Sequence, residues 1–322
     1  KVGRHDNFFD LGGHSLLIIS LQSRIRKLIG RDVDLSFLIQ HQTISQQNAN
    51  FHVSQKLSDG LVQMKAGTSE RPIFIVHEVT GDVLSYADVA NCFSTKYPVY
   101  GITALRLPKD QRNLESFESM ASCYVKLMKS VDKHGPYRLV GWSAGGMLAW
   151  EIARQLTLNG DTVEFLGMID TYYSEENETE NVDDNTMLIG LLDGLNGGLN
   201  ESTTEHLKQI KDIDNLIDET RALGILNMEA SNDSIKERLS LAKSIETMSS
   251  RYVAQDFPVR AHLFCAEDGE AAKSWDTFQG NSRPETVAIG GTHWSMVRSP
   301  HANRMVDEIE SILDKNQIDP GQ

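Results

Sequence analysis

The chain has 322 residues, 40% hydrophobic and 24% charged, an ordinary globular composition able to bury a real core. Its net charge of −14 argues against a nucleic-acid partner, and no stretch approaches the roughly twenty apolar residues that cross a bilayer. Cys92, Cys123 and Cys265 have no metal-ligand spacing and suit reduced thiols in a cytoplasm. Residues 1–15 carry no apolar signal segment, and position 1 is Lys, as expected of a piece cut from a longer polypeptide.

In chain order, residues 6–15 (DNFFDLGGHS) form a turn-rich loop, and Ser15 opens a helical pattern. Leu16, Leu17, Ile19, Ser20, Leu21, Ile25 and Leu28 recur at three- and four-residue spacing until Gly30 stops the run. A short apolar patch at 33–39 and a polar stretch at 40–47 complete a small all-α unit, expected over residues 1–52. Residues 53–70 read as a linker. A second block is expected over 71–322.

In that block, apolar runs at 73–76, 99–104, 137–140, 163–169, 259–266 and 286–289 alternate with helical patterns at 116–131, 144–158 and 301–313. Such alternation predicts an α/β domain with a mainly parallel sheet covered on both faces. Between Thr171 and Tyr252 the rhythm lapses into acidic, Asn-rich loops with helix-like pieces at 204–217 and 234–248. An insertion of that length is expected to be a cap over a site.

Gly141-Trp142-Ser143-Ala144-Gly145 matches G-x-S-x-G, a pattern that chance alone supplies in about one chain in ten of this length. Its setting adds weight: a strand precedes it and a helix follows, as a nucleophile elbow requires. A serine hydroxyl needs a histidine to take its proton and an acid to orient that histidine, in the chain order Ser, acid, His. His293, just past the last strand-like run, is the expected base; His301 reads as a first-turn helix residue, and His77 precedes the serine. Two strand ends offer the acid: Asp170, or Asp268 with its neighbour Glu267. The residues alone leave that choice open. For the oxyanion, the amide of Ala144 is one expected donor, and that of Val79, in the loop 77–81, is the other.

Two stretches are similar to known families. Residues 6–16 resemble the phosphopantetheine attachment site of peptidyl carrier domains in nonribosomal peptide synthetases. The resemblance implies that Ser15 carries a covalent 4′-phosphopantetheine, installed by a phosphopantetheinyl transferase. Those carriers have a further helix before the motif, which residues 1–6 are too short to supply. The second block resembles the type I thioesterases that terminate such synthetases, through residues 72–77, 100–102, 135–137, 141–146 and 291–293. That likeness implies an α/β-hydrolase fold with a helical lid at about 171–252. It also favours Asp170 as the acid, from its Ile169-Asp170-Thr171 context. The family's oxyanion loop reads His-Pro-x-Gly-Gly; here Glu78 replaces Pro and only Gly81 remains.

The implied function is transfer of a peptidyl thioester from the Ser15 arm to Ser143, then release by hydrolysis or macrocyclisation. The implied partners are upstream condensation and adenylation domains of the same polypeptide. The chain is expected to act as a monomer, without a metal, membrane or nucleic acid. The alternatives are a freestanding esterase or lipase, which leaves the carrier motif unexplained, and a docking module with a vestigial site. The sequons at Asn177, Asn200 and Asn232 and the acidic run 174–184 read as composition and solvated loop.

Overall fold

The computed structural model describes residues 2–9, 11–13, 15–29, 33, 35–50, 60–69, 71–105, 107, 115–174, 182–226 and 231–318. Its elements begin with helices α1 (Ser15–Ile29), α2 (Leu35–Gln40) and α3 (Ile44–Asn50). There follow β1 (Leu61–Lys65), β2 (Ile73–Val76), α4 (Ala87–Cys92), β3 (Val99–Ile102), α5 (Phe117–Val131), β4 (Tyr137–Trp142), α6 (Ala144–Leu158) and β5 (Val163–Ile169). Then come α7 (Asp184–Leu195), α8 (Glu201–Lys208), α9 (Ile213–Ala222), α10 (Asn232–Arg251), β6 (Ala261–Cys265), α11 (Glu270–Ser274), β7 (Glu285–Ala288) and α12 (His301–Ile318). The chain forms two compact units, residues 1–56 with 180–243, and residues 57–179 with 244–322.

In the first unit, the loop before α1 is held by its own polar groups. The Asn7 side chain accepts from the Phe9 N–H at 2.8 Å, and the Phe8 N–H donates to the Gln42 carbonyl at 2.9 Å. Gly12 takes a φ of +87°, where a side chain would be strained. Ile18, Val33, Phe37, Leu38 and Ile39 are buried. The apolar stripe differs from expectation at one end, where Leu28 is 83% exposed. The polar stretch 40–47 contains the start of α3, which Thr43 and Gln46 cap reciprocally at 3.1 Å in both directions. Ser15 is the first residue of α1, but its side chain, together with His14 and Asp10, lies outside the described residues.

The inserted helices α7–α10 share a core of Leu188, Ile189, Leu192, Leu207, Leu216, Ile217, Leu226, Ile235 and Leu239. The expected single piece at 204–217 is in fact two helices, α8 and α9. The acidic, Asn-rich composition has a structural cause: Asp183, Asn200 and Asp212 are N-caps whose side chains accept backbone N–H groups of α7, α8 and α9. Of the sequon asparagines, Asn200 is such a cap, whereas Asn232 is the first residue of α10 and its side-chain oxygen accepts from Arg221. Asn177 and most of the acidic run lie outside the described residues.

The second unit is built on a seven-stranded sheet of order β1-β3-β2-β4-β5-β6-β7. All pairings are parallel except β1 with β3. β1 corrects the expected linker: Leu61, Val62 and Met64 are buried once the segment pairs with β3 as an antiparallel edge. That burial comes from a non-local pairing. The linker reading could not anticipate it. Register aligns the strand ends, Val76 with Gly141, Trp142 with Ile169, and Ile169 with Phe264. The loops after β2, β4 and β5 therefore open at one edge of the sheet, where open α/β sheets bind ligands. Helix α6 packs on β4, β5 and α5. Just beyond α10, the Tyr252 hydroxyl donates to the fully buried Glu151 of α6 at 2.8 Å. The architecture is that of an α/β hydrolase with a helical insertion between β5 and β6. Among the described residues, no helix is long and apolar enough to cross a membrane.

Candidate active site

Ser143 sits at the sharp turn between β4 and α6, with φ 55° and ψ −128°, a strained backbone for a residue with a side chain. Hydrogen bonds hold the strain in place: the Ser143 N–H donates to the Ile169 carbonyl at 2.9 Å, and the Gly146 N–H to the Ser143 carbonyl at 2.9 Å. The flanking glycines are required by close approach. A Cβ on Gly141 would overlap the Gly145 carbonyl, and one on Gly145 would overlap the His77 carbonyl at the end of β2. Gly145→Ala is therefore expected to destabilise the protein by about 2 kcal/mol or more, because both clashing partners are backbone. A melting curve tests this, with a fall in Tm of roughly 4–8 °C expected for a domain of this size.

Asp170 follows β5 with a φ of +41° and is fully buried. Its Oδ1 accepts the Ala266 N–H at 3.0 Å, and its Oδ2 pairs with His293 Nδ1 at 2.8 Å. With Nδ1 donating to the carboxyl, Nε2 is left as the proton acceptor of the ring. His293 lies in a tight turn after β7, in which the Thr292 N–H donates to Ser295 Oγ at 2.8 Å. Its ring packs 5.1 Å from Trp142, the residue before Ser143, and 5.7 Å from Trp294. Tyr172, 46% exposed, stands 6.1 Å away.

The rival acids are placed elsewhere. Asp268 is exposed and accepts the Glu270 N–H at 3.1 Å, at the start of α11; Glu267 is exposed too. His301 opens α12 and does not share the Asp170 carboxyl. His77 is buried, with Nδ1 donating to the Glu78 carbonyl at 2.7 Å and Nε2 accepting from the Tyr124 hydroxyl at 2.7 Å. Burial pushes its pKa down to about 4, so it stays neutral and holds the loop in place. Ala144 begins α6, where the first N–H groups have no intrahelical partner. Val79 lies in the loop whose His77 backbone abuts Gly145, and its N–H donates to nothing among the described residues.

Sequence reasoning missed Tyr86. Its hydroxyl donates to the Val76 carbonyl at 2.8 Å and accepts the Trp142 N–H at 2.7 Å, tying the ends of β2 and β4 together beside Ser143. A tyrosine ahead of a short helix carries no sequence signal of that role. The Ala266 amide was missed as well, since a backbone donor leaves no mark in the side-chain pattern.

Comparison with known proteins adds to this geometry. A family model described as a thioesterase domain matches residues 71–317. The chain belongs to the thioesterase-domain family. Ahead of the thioesterase domain, residues 1–47 match the phosphopantetheine attachment site family, whose members carry covalent 4′-phosphopantetheine. The start of α1 fits that group: the free N–H groups and positive end of a fifteen-residue helix suit phosphate oxygens beside the Ser15 position.

A dimodular nonribosomal peptide synthase of Bacillus subtilis is 34% identical over 195 residues, 60% of this chain and 8% of its own length. Malpibaldin synthetase of Mortierella alpina is 32% identical over 53% of this chain and 3% of its own. The chain thus spans less than a tenth of either relative. Among solved structures, the four-domain synthetase holo-AB3403 aligns over 100% of this chain and 25% of its own, with a TM-score of 0.70 and 24% identity. The Vlm2 thioesterase domain aligns over 78% of this chain and 97% of its own, with a TM-score of 0.57 and 21% identity. Both share its fold.

Proposed function

We propose that this chain is the carrier–thioesterase end of a nonribosomal peptide synthetase, with Ser15 bearing the arm and Ser143 acting as the nucleophile. The observation that carries the reading is the joint presence of an attachment-site unit and a thioesterase domain on one chain. The Asp170–His293 pair and the strained elbow at Ser143 supply the parts of a serine hydrolase in the chain order of this fold. When bound, the arm supplies a thiol on which the acyl group is held as a thioester.

His293 Nε2 takes the Ser143 proton as Oγ attacks the acyl carbonyl. The Ala144 and Val79 amides receive the oxyanion. As the tetrahedral centre collapses, the C–S bond breaks and His293 returns its proton to the departing sulfur. The Ser143 ester is then attacked by water, giving a linear acid, or by an amine or hydroxyl of the acyl chain, giving a ring. In both cases His293 accepts the attacking group's proton and returns it to Ser143 Oγ. Sharing one chain raises the effective concentration of the two partners. The condensation and adenylation domains that build the acyl chain lie upstream in this reading, and a phosphopantetheinyl transferase loads Ser15.

Loading the chain with coenzyme A and a phosphopantetheinyl transferase is expected to add one arm, as seen by intact mass. Ser15→Ala is expected to abolish that gain while leaving hydrolysis of a small activated ester within about threefold, since that ester needs no carrier. A mass gain that survives Ser15→Ala contradicts the assignment. Ester turnover by a chain that accepts no arm favours the freestanding esterase.

A further inference from the structure

The turn that follows β2 carries a buried acid. Glu78, which stands where the resembling thioesterases have proline, is 5% exposed. Its carboxyl accepts the Thr80 N–H at 2.7 Å and pairs with the Thr80 hydroxyl. Its carbonyl accepts the Gly81 N–H at 3.0 Å and His77 Nδ1–H at 2.7 Å. Gly81, with a φ of +75°, has its own carbonyl taken by the Ala104 N–H at 2.9 Å and the Thr103 hydroxyl at 2.7 Å. Around the turn, each of these groups is therefore engaged. Val79 is different: it is half-buried, and among the described residues its N–H donates to nothing.

We propose that Glu78 is a positioning residue for the oxyanion hole, its carboxyl fixing, through the Thr80 amide and hydroxyl, the turn that leaves the Val79 amide free to receive the oxyanion. The proposal rests on the reading of Ser143 as nucleophile and Val79 as donor. A proline fixes a turn through its ring and gives up an N–H; Glu78 does the same work through two side-chain hydrogen bonds. Burial pushes its carboxyl up to about 7, with the nearby Asp82 adding to the rise and Thr80 and Ser85 opposing it. Both protonation states can hold the turn. The ionised form accepts from both Thr80 groups, whereas the neutral form accepts from the amide and donates to the hydroxyl. Glutamine reproduces the second pattern, and alanine reproduces neither.

The test compares Glu78→Ala and Glu78→Gln in the full chain, using p-nitrophenyl butyrate, an activated ester that needs Ser143 but no carrier. Glu78→Ala is expected to lower kcat about 10- to 100-fold with KM within about threefold, because a mispositioned oxyanion donor is lost mainly in the transition state. Glu78→Gln is expected to stay within about threefold of wild type. If Glu78→Ala fails to fold, Thr80→Val, which removes only the hydroxyl, is read in its place and is expected to lower kcat roughly 3- to 10-fold. Glu78→Ala at wild-type kcat, Glu78→Gln as damaged as Glu78→Ala, or Thr80→Val without effect overturns the proposal. A wild-type chain that turns over neither this ester nor an acyl thioester overturns instead the reading of Ser143 on which the proposal stands.

Discussion

Ser143→Ala is expected to lower kcat roughly a millionfold and to leave the acyl group on the carrier arm. The size follows from how the parts act together. Without Oγ there is nothing for His293 to activate, so the Asp170–His293 pair and the amides retain only the residual catalysis of oxyanion binding. The fold should survive the change. The strained backbone at position 143 is held by main-chain hydrogen bonds to Ile169 and from Gly146, and the serine side chain makes none of them. A Tm within about 2 °C of wild type, measured beside kcat, separates loss of chemistry from loss of structure.

Asp170→Asn is expected to cost about ten-thousandfold in kcat, with the protein still folded. Asp170 accepts two donors, the Ala266 N–H and His293 Nδ1–H, one on each carboxyl oxygen. Asparagine offers one acceptor and one donor group. If its oxygen keeps Ala266, its NH₂ faces His293 and favours the tautomer with Nδ1 bare and Nε2 protonated, which cannot take the Ser143 proton. Asp268→Asn is the matched control. Asp268 is exposed and, among the described residues, accepts at the start of α11, a place asparagine serves as well. Its kcat is expected within about threefold of wild type. Equal losses in the two variants would remove Asp170 from its role.

Much of this architecture is legible in the sequence because its signals are local and periodic. The alternation of apolar runs with helical patterns after residue 71 marks the parallel sheet, and the elbow at 141–146 marks its own turn. What was illegible depends on distant partners. β1 is a strand only because β3 lies beside it, so Leu61 to Lys65 reads as linker when taken alone. In the insertion, acid and asparagine look like solvated loop until three of them prove to be helix caps. The cap of α3 is legible in principle: Thr43-x-x-Gln46 has capping-box spacing, but the stretch holds little apolar material to mark a helix.

At the site, side-chain chemistry was easier to read than backbone chemistry. The expectations for Ser143 and His293 follow from motif and order. Choosing Asp170 over Asp268 needed family likeness, because both are acids at strand ends, and the hydrogen bond to His293 is what distinguishes them. Tyr86, Ala266 and the buried state of Glu78 had no sequence signal, since each acts through an amide, a carbonyl or a packing environment.

The central claim is passage of the acyl group from the Ser15 arm to Ser143, and a single-turnover experiment addresses it directly. The chain is loaded with an acylated arm, quenched at intervals and digested, and the peptides holding Ser15 and Ser143 are weighed. Acyl mass should leave the Ser15 peptide, appear transiently on the Ser143 peptide, and then emerge as free acid or ring, with no loss from the arm in Ser143→Ala. Release of product at the same rate from wild type and Ser143→Ala, with the Ser143 peptide never acylated, would contradict it.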